Sequence, residues 1–136
     1  MDLYAEQILE HYRNPRKQDS LASPTISHAE KNASCGDELT LSLRIDDGKI
    51  TDVSWNGTGC AVSQAGMSLL SEELVGKPTD EAASLSADAV KILLGVPIGP
   101  RRVKCALLCL HALKNALRTA EGKDPQSWTE TLGESA

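Results

Sequence analysis

Leu39, Leu41, Leu43 and Ile45 alternate with Thr40, Ser42 and Arg44, a period of two that predicts a strand with one buried face. Asp47-Gly48 is a tight-turn signal, and Ile50 to Asn56 then returns as the antiparallel partner, with Thr51, Val53 and Trp55 on one face. A weaker strand candidate, Thr25 to Ala29, precedes them. On either side of this meander the period becomes helical. In Asp2 to Tyr12 the apolar Tyr4, Ile8 and Tyr12 recur every four residues beside Leu9, until Asn14-Pro15 stops the helix. From Cys60 onward Val62, Ala65, Leu69, Leu70, Leu74 and Val75 keep helical spacing as far as Gly76-Lys77-Pro78. Thr79 and Ser86 are predicted N-caps of two short helical pieces, the second holding Val90, Leu93 and Leu94 and closing at Gly95. The strongest helix runs from about Arg102 to Ala120, with Val103, Ala106, Leu107, Leu110, Leu113 and Leu117 in one stripe. The expected fold class is α+β: a small three-stranded antiparallel sheet with helices packed on one face, over residues 1–120. Residues 121–136 read as a polar, mobile tail.

Composition narrows what such a domain can do. An apolar share of 40% in 136 residues supplies one core, and without Phe that core must be built from Leu, Val, Ile and Ala. With 19 acidic against 14 basic residues, and Arg101-Arg102-Val103-Lys104 as the only basic run, an electrostatic grip on nucleic acid is not expected. An aromatic share of 3% leaves no base-stacking platform either. No apolar run is long enough to cross a bilayer, and the first residues carry acids where a secretory leader would be basic. The expectation is a cytoplasmic chain whose partners are proteins, metals or small molecules. In that reducing setting its four cysteines point to thiol, metal or sulfur chemistry rather than to disulfides.

Cys35, Cys60 and Cys105 each fall at a predicted strand or helix boundary, and Asp37 follows the first by two residues. Gly36 lets the chain turn so that the Cys35 sulfur and the Asp37 carboxylate can converge on one ion. Cys60 follows Gly57-Thr58-Gly59 at the start of a helix, where the helix dipole and free N–H groups favour the thiolate. Cys105 is placed in the same way and points roughly 130° from the centre of the apolar stripe, on a flank rather than in the core. Three thiolates and one carboxylate satisfy tetrahedral Zn²⁺ or a small iron–sulfur cluster with one oxygen ligand, and that oxygen ligand makes the site more labile than four thiolates. Cys109 reads as a buried helix contact, and His11, His28 and His111 as structural histidines. Lys104 and Arg102 are cations at a helix start, where they oppose the dipole, which suggests a use in holding Asp37 or incoming sulfur.

Four ordered segments carry a resemblance: His11-Tyr12-Arg13-Asn14-Pro15-Arg16, Asn32-Ala33-Ser34-Cys35-Gly36-Asp37, Gly59-Cys60-Ala61-Val62-Ser63-Gln64-Ala65 and Arg102-Val103-Lys104-Cys105-Ala106. Over nearly its whole length the chain resembles iron–sulfur cluster assembly scaffolds of the IscU/SufU type, related to the N-terminal domain of NifU. The resemblance implies that Cys35, Asp37, Cys60 and Cys105 hold a transient [2Fe–2S] cluster or Zn²⁺. It also implies a cysteine desulfurase that delivers persulfide sulfur, and recipient apo-proteins or a carrier that take the cluster, held in a monomer or bridging a homodimer. Cys105, with Lys104 and Arg102 nearby, is the favoured persulfide acceptor, and Cys35 the second candidate. Lys104 stands where IscU-type scaffolds have a His, and Ile98-Gly99-Pro100-Arg101-Arg102 replaces their chaperone-binding segment. The Arg-Val-Lys-Cys-Ala stretch looks like the SufU branch, yet Ala61 to Lys104 is too short for that branch's helical insertion. Three readings therefore stand at this level: a non-enzymatic cluster scaffold, a zinc-dependent sulfur acceptor with sulfurtransferase activity, and a structural zinc domain for protein binding.

Overall fold

The computed structural model describes residues 3–32 and 36–133. Strands β1 (Ile26–Asn32), β2 (Asp37–Asp46) and β3 (Lys49–Thr58) form one antiparallel sheet in that order. The hairpin between β2 and β3 turns on Asp47 and Gly48, both at positive φ (50° and 73°), as a two-residue loop matched to strand twist requires. On β2 the alternation holds throughout its buried half: Asp37, Leu39, Leu41 and Leu43 all face inward. β3 departs from the simple pattern. Arg44 pairs with Asp52 but Ile45 pairs with Ile50, so Thr51 is an extra residue in a bulge. The bulge places Ile50, rather than the expected Thr51, on the buried face with Val53 and Trp55.

Among the described residues the helices are, in chain order, α1 (Leu3–Arg13), α2 (Ala61–Leu74), α3 (Thr79–Ala83), α4 (Ala87–Leu94), α5 (Val103–Ala120) and α6 (Trp128–Leu132), with a 3₁₀ turn over Pro100–Arg102. Ser86 caps α4 as expected, its hydroxyl accepting the Ala89 N–H, and Gly95 closes it in the left-handed conformation. Pro78 rather than Thr79 precedes α3. Of the stripe expected on α1, Ile8 is buried, but Tyr12 is 43% exposed and His11 takes its inward place; the Tyr4 side chain lies outside the described residues. Val75, expected in the α2 stripe, is 42% exposed because α2 ends at Leu74.

α5 is the central helix. It packs against β1, β2, α2, α3, α4 and α6, so every residue from Cys105 to Leu113 is buried. A single apolar stripe underestimates this burial, because a helix covered on several sides hides its polar positions too. The inward face of β1 is Ile26, His28, Glu30 and Asn32, which gives α5 a polar neighbour, and α5 answers with His111 and Asn115. Asn115 Nδ2 donates to Glu30 Oε2 at 3.0 Å, and His28 Nε2 lies 3.0 Å from the same oxygen.

Residues expected within a polar tail carry α6. Ser127 and Glu130 form a reciprocal capping box at its start. The Trp128 ring stacks on His111 with centroids 4.1 Å apart, Thr131 Oγ1 lies 2.6 Å from His111 Nδ1, and the Gln126 N–H donates to Asn115 Oδ1 at 2.7 Å.

This network makes stability pH-dependent. Burial holds His111 below the ordinary histidine range, against the opposing pull of Glu30. Burial and the neighbouring Arg16 shift His11 the same way. Between such a depressed folded value and the ordinary 6.5, the unfolded chain binds more protons than the native one, so stability falls as pH falls. The metal-free protein is expected to melt at progressively lower temperature as pH is taken from about 7.5 to about 5.5, and His111→Gln should flatten that slope. A slope unchanged in His111→Gln, followed by circular dichroism, would remove His111 as its source.

Candidate metal centre

The inward row of β2 ends at Asp37, which is 1% exposed, so the alternation that buries three leucines also delivers a carboxylate to the end of the sheet. Gly36, at φ 74°, supplies the left-handed turn before it, and its N–H donates to Asn32 O at 2.9 Å. β3 hands over to α2 at Gly59-Cys60, where the Cys60 N–H donates to Asp37 Oδ1 at 3.0 Å. Gly59 is required sterically: a Cβ there would sit 2.5 Å from Asp37 Oδ1 and 2.7 Å from Ser63 Oγ. Cys60 is the N-cap residue of α2, and Cys105 lies in the first turn of α5. Both thiols therefore sit at the starts of long helices, α2 and α5.

A carboxylate oxygen of Asp37 and the sulfurs of Cys60 and Cys105 all lie within 4.8 Å of one another. Asp37 Oδ2 is buried and has no hydrogen-bond partner among the described residues. Such an oxygen carries an unrecovered desolvation penalty, and a bound cation removes it. Two thiolates and a carboxylate are also a donor set suited to Zn²⁺ or iron. The residues present therefore fit a metal.

Of the four expected ligands, the structure brings Asp37, Cys60 and Cys105 together. Cys35 lies outside the described residues. Cys105, expected on a helix flank rather than as an ordinary core residue, is 3% exposed: β1 packs against α5, and Asn32 Nδ2 lies 3.8 Å from its sulfur. Cys60 is the partly exposed member of the group. The Lys104 ammonium lies over the Trp128 ring at 5.7 Å, so it binds α6 rather than turning toward Asp37. Cys109 packs against Gly66 of α2, and burial pushes its thiol up to about 12, which keeps it inert.

The segment His11 to Arg16 serves the scaffold rather than the site. His11 Nδ1 lies 2.7 Å from Ser68 Oγ, the Arg16 N–H donates to that same hydroxyl at 2.8 Å, and Trp55 Nε1 donates to Arg16 O at 2.7 Å. Gly59, Asn32 and Ser63 are the neighbours of the site that residue patterns leave unassigned. Only their place in the quoted segments could have flagged them.

A model of the NifU-like N-terminal domain matches residues 3–126. The chain belongs to that family. Within it, the chain is 34% identical over 132 residues to the iron–sulfur cluster assembly scaffold protein IscU of Thermotoga maritima, covering 85% of this chain and 93% of that protein. It is 31% identical over 137 residues to the zinc-dependent sulfurtransferase SufU of Bacillus subtilis, covering 88% and 92%. The crystal structure of a nitrogen-fixing NifU-like protein, N-terminal part, from Brucella abortus superposes with a TM-score of 0.74 at 26% identity, covering 90% of this chain and 96% of that one. The three-stranded α+β architecture is thus the family's fold. No helix among the described residues is long and apolar enough to cross a membrane.

Proposed function

We propose that this chain is an iron–sulfur cluster assembly scaffold: it receives persulfide sulfur from a cysteine desulfurase, builds a labile [2Fe–2S] cluster as its cargo, and passes the cluster to recipient apo-proteins or a carrier. The observation that carries this reading is the unpartnered buried oxygen of Asp37 grouped with the Cys60 and Cys105 thiols. Cys35, two residues before Asp37 in the chain, is the proposed fourth ligand.

For sulfur delivery, Cys105 is the proposed acceptor and Cys35 the alternative. The scaffold thiolate attacks the outer sulfur of the desulfurase persulfide; the S–S bond breaks, and its electron pair leaves on the desulfurase cysteine. The scaffold then holds Cys–S–S⁻, and two electrons from an external donor release sulfide and restore its thiolate. Because Cys105 is 3% exposed, this exchange requires the site to open when the desulfurase binds.

The second reading, a zinc-dependent sulfur acceptor, is favoured by the likeness to the Bacillus subtilis sulfurtransferase and by Lys104 preceding Cys105. In it Cys35, Asp37, Cys60 and Cys105 hold Zn²⁺ until the desulfurase binds. Anaerobic reconstitution with ferrous iron, cysteine and a cysteine desulfurase separates the two. The scaffold is expected to show a [2Fe–2S] absorption and Mössbauer signature that decays as an apo-ferredoxin gains its cluster. A colourless protein that keeps stoichiometric zinc yet speeds desulfurase turnover would overturn the scaffold reading in favour of the sulfur acceptor.

A further inference from the structure

We propose that Asn32 is a positioning residue for this metal centre, holding the Cys105 sulfur by an N–H···S hydrogen bond and tying it to the turn that delivers Asp37. The proposal rests on the reading of the site as a metal centre.

Asn32 is the last residue of β1 and the register partner of Asp37, the first residue of β2. It is 2% exposed. Its carboxamide Nδ2 donates to Cys105 Sγ at 3.8 Å, within reach of a hydrogen bond to sulfur. Its carbonyl accepts the Gly36 N–H at 2.9 Å and so fixes the turn into Asp37. One residue therefore sets the position of both a thiol on α5 and a carboxylate on β2, which belong to separate elements.

The chemistry of the donor fits this use. A thiolate, whether bare or bound to a metal, only accepts hydrogen bonds, and a neutral amide N–H meets it without adding charge. Such a bond is charge-assisted when the sulfur is a metal-bound thiolate. It also draws electron density from the sulfur, which moderates the sulfur's bond to the metal. Groups in this outer position orient ligands, and their loss costs about 10–100-fold in metal affinity. Placing the amide on a strand end rather than in a loop gives it a fixed direction.

The direct test uses the unaltered protein loaded with ¹¹³Cd²⁺. A scalar coupling between a side-chain amide proton of Asn32 and the bound cadmium passes only through the N–H···S–Cd path, and is expected. Cadmium bound without that coupling would overturn the inference while leaving the metal centre intact. Failure of Cd²⁺ to bind would overturn both. A second measurement compares Asn32→Leu with the unaltered chain. Zn²⁺ affinity should fall about tenfold or more in competition with a chromophoric chelator. With Co²⁺ bound, the thiolate-to-metal charge-transfer band should move to longer wavelength, because the sulfur loses its hydrogen bond. A variant that melts lower but keeps both the band position and the affinity would assign Asn32 a structural role alone and overturn the proposal.

Discussion

Replacing Gly59 with alanine is expected to abolish tight metal binding, with Zn²⁺ affinity falling by on the order of 100-fold or more, the upper end of what disturbing an outer-shell contact costs. The added Cβ would stand 2.5 Å from Asp37 Oδ1, 2.9 Å from its Cγ and 2.7 Å from Ser63 Oγ, separations that real Cβ atoms do not show. None of these neighbours yields cheaply. Asp37 begins a buried strand and accepts the Cys60 N–H, and Ser63 is buried in the first turn of α2, where its hydroxyl donates to Cys60 O at 3.0 Å. The backbone adds to the conflict, since φ at Gly59 is 154°, a conformation that L side chains rarely adopt. The metal-free variant should therefore also lose about 1–3 kcal/mol of stability. Gly99→Ala is the matching control, because nothing lies within 4 Å of the Cβ it would add and its φ is −75°. Chelator competition and thermal melting read both effects. Gly59→Ala binding zinc like the control would show that the close approach of Asp37 to the β3–α2 junction is not needed.

Substitution at Asp37 is expected to have the second largest effect, and to separate its two jobs. Oδ1 accepts the Cys60 N–H and so ties β2 to the start of α2, while Oδ2 has no partner among the described residues. Asp37→Asn keeps an acceptor for Cys60 but loses the charge, whereas Asp37→Ala loses both. The metal-free Asp37→Ala protein should be less stable than Asp37→Asn by on the order of 1 kcal/mol, the cost of leaving a partly buried N–H unpaired. Cluster handling should respond alike in both. On the proposed reading, with iron holding thiolate more firmly than carboxylate, a bond to Asp37 would be the one to open for a recipient's thiolate. Without it, a reconstituted cluster is expected to persist longer in air and to reach apo-ferredoxin about tenfold more slowly, the scale on which such sites respond to a changed ligand environment. A cluster lost faster than from the unaltered chain would contradict a role for Asp37 in release.

Much of the scaffold is legible along the chain because period-two and helical patterns report burial directly. The row Leu39, Leu41, Leu43 predicts β2, and carrying the same period back two residues puts Asp37 inside as well. Ser86 and Gly95 mark the ends of α4 because capping chemistry is local. The bulge at Thr51 is not legible, since one extra residue reverses which side chains face inward without leaving a pattern of its own. α6 is missed for a related reason. Five residues give too little periodicity to register, and what holds them is the stack of Trp128 on His111 and the bond from Gln126 to Asn115.

The candidate site divides along the same line. Residue types, order and helix starts were enough to nominate Cys35, Asp37, Cys60 and Cys105 as candidate ligands, because ligand chemistry and helix-end electrostatics belong to the residues themselves; the last three meet in the structure, and Cys35 lies outside the described residues. Whether those groups meet is settled by packing across elements distant in sequence: Gly59 admitting the Asp37 carboxylate, and Asn32 reaching Cys105 across 73 positions. Burial is settled there too. Sequence periodicity measures one face of α5 at a time, but the helix packs against β1, β2, α2, α3, α4 and α6, and Cys105 is buried. The candidate ligands thus came from sequence alone, while the convergence of Asp37, Cys60 and Cys105 and the burial of Asp37 and Cys105 depend on long-range contacts that no local pattern encodes.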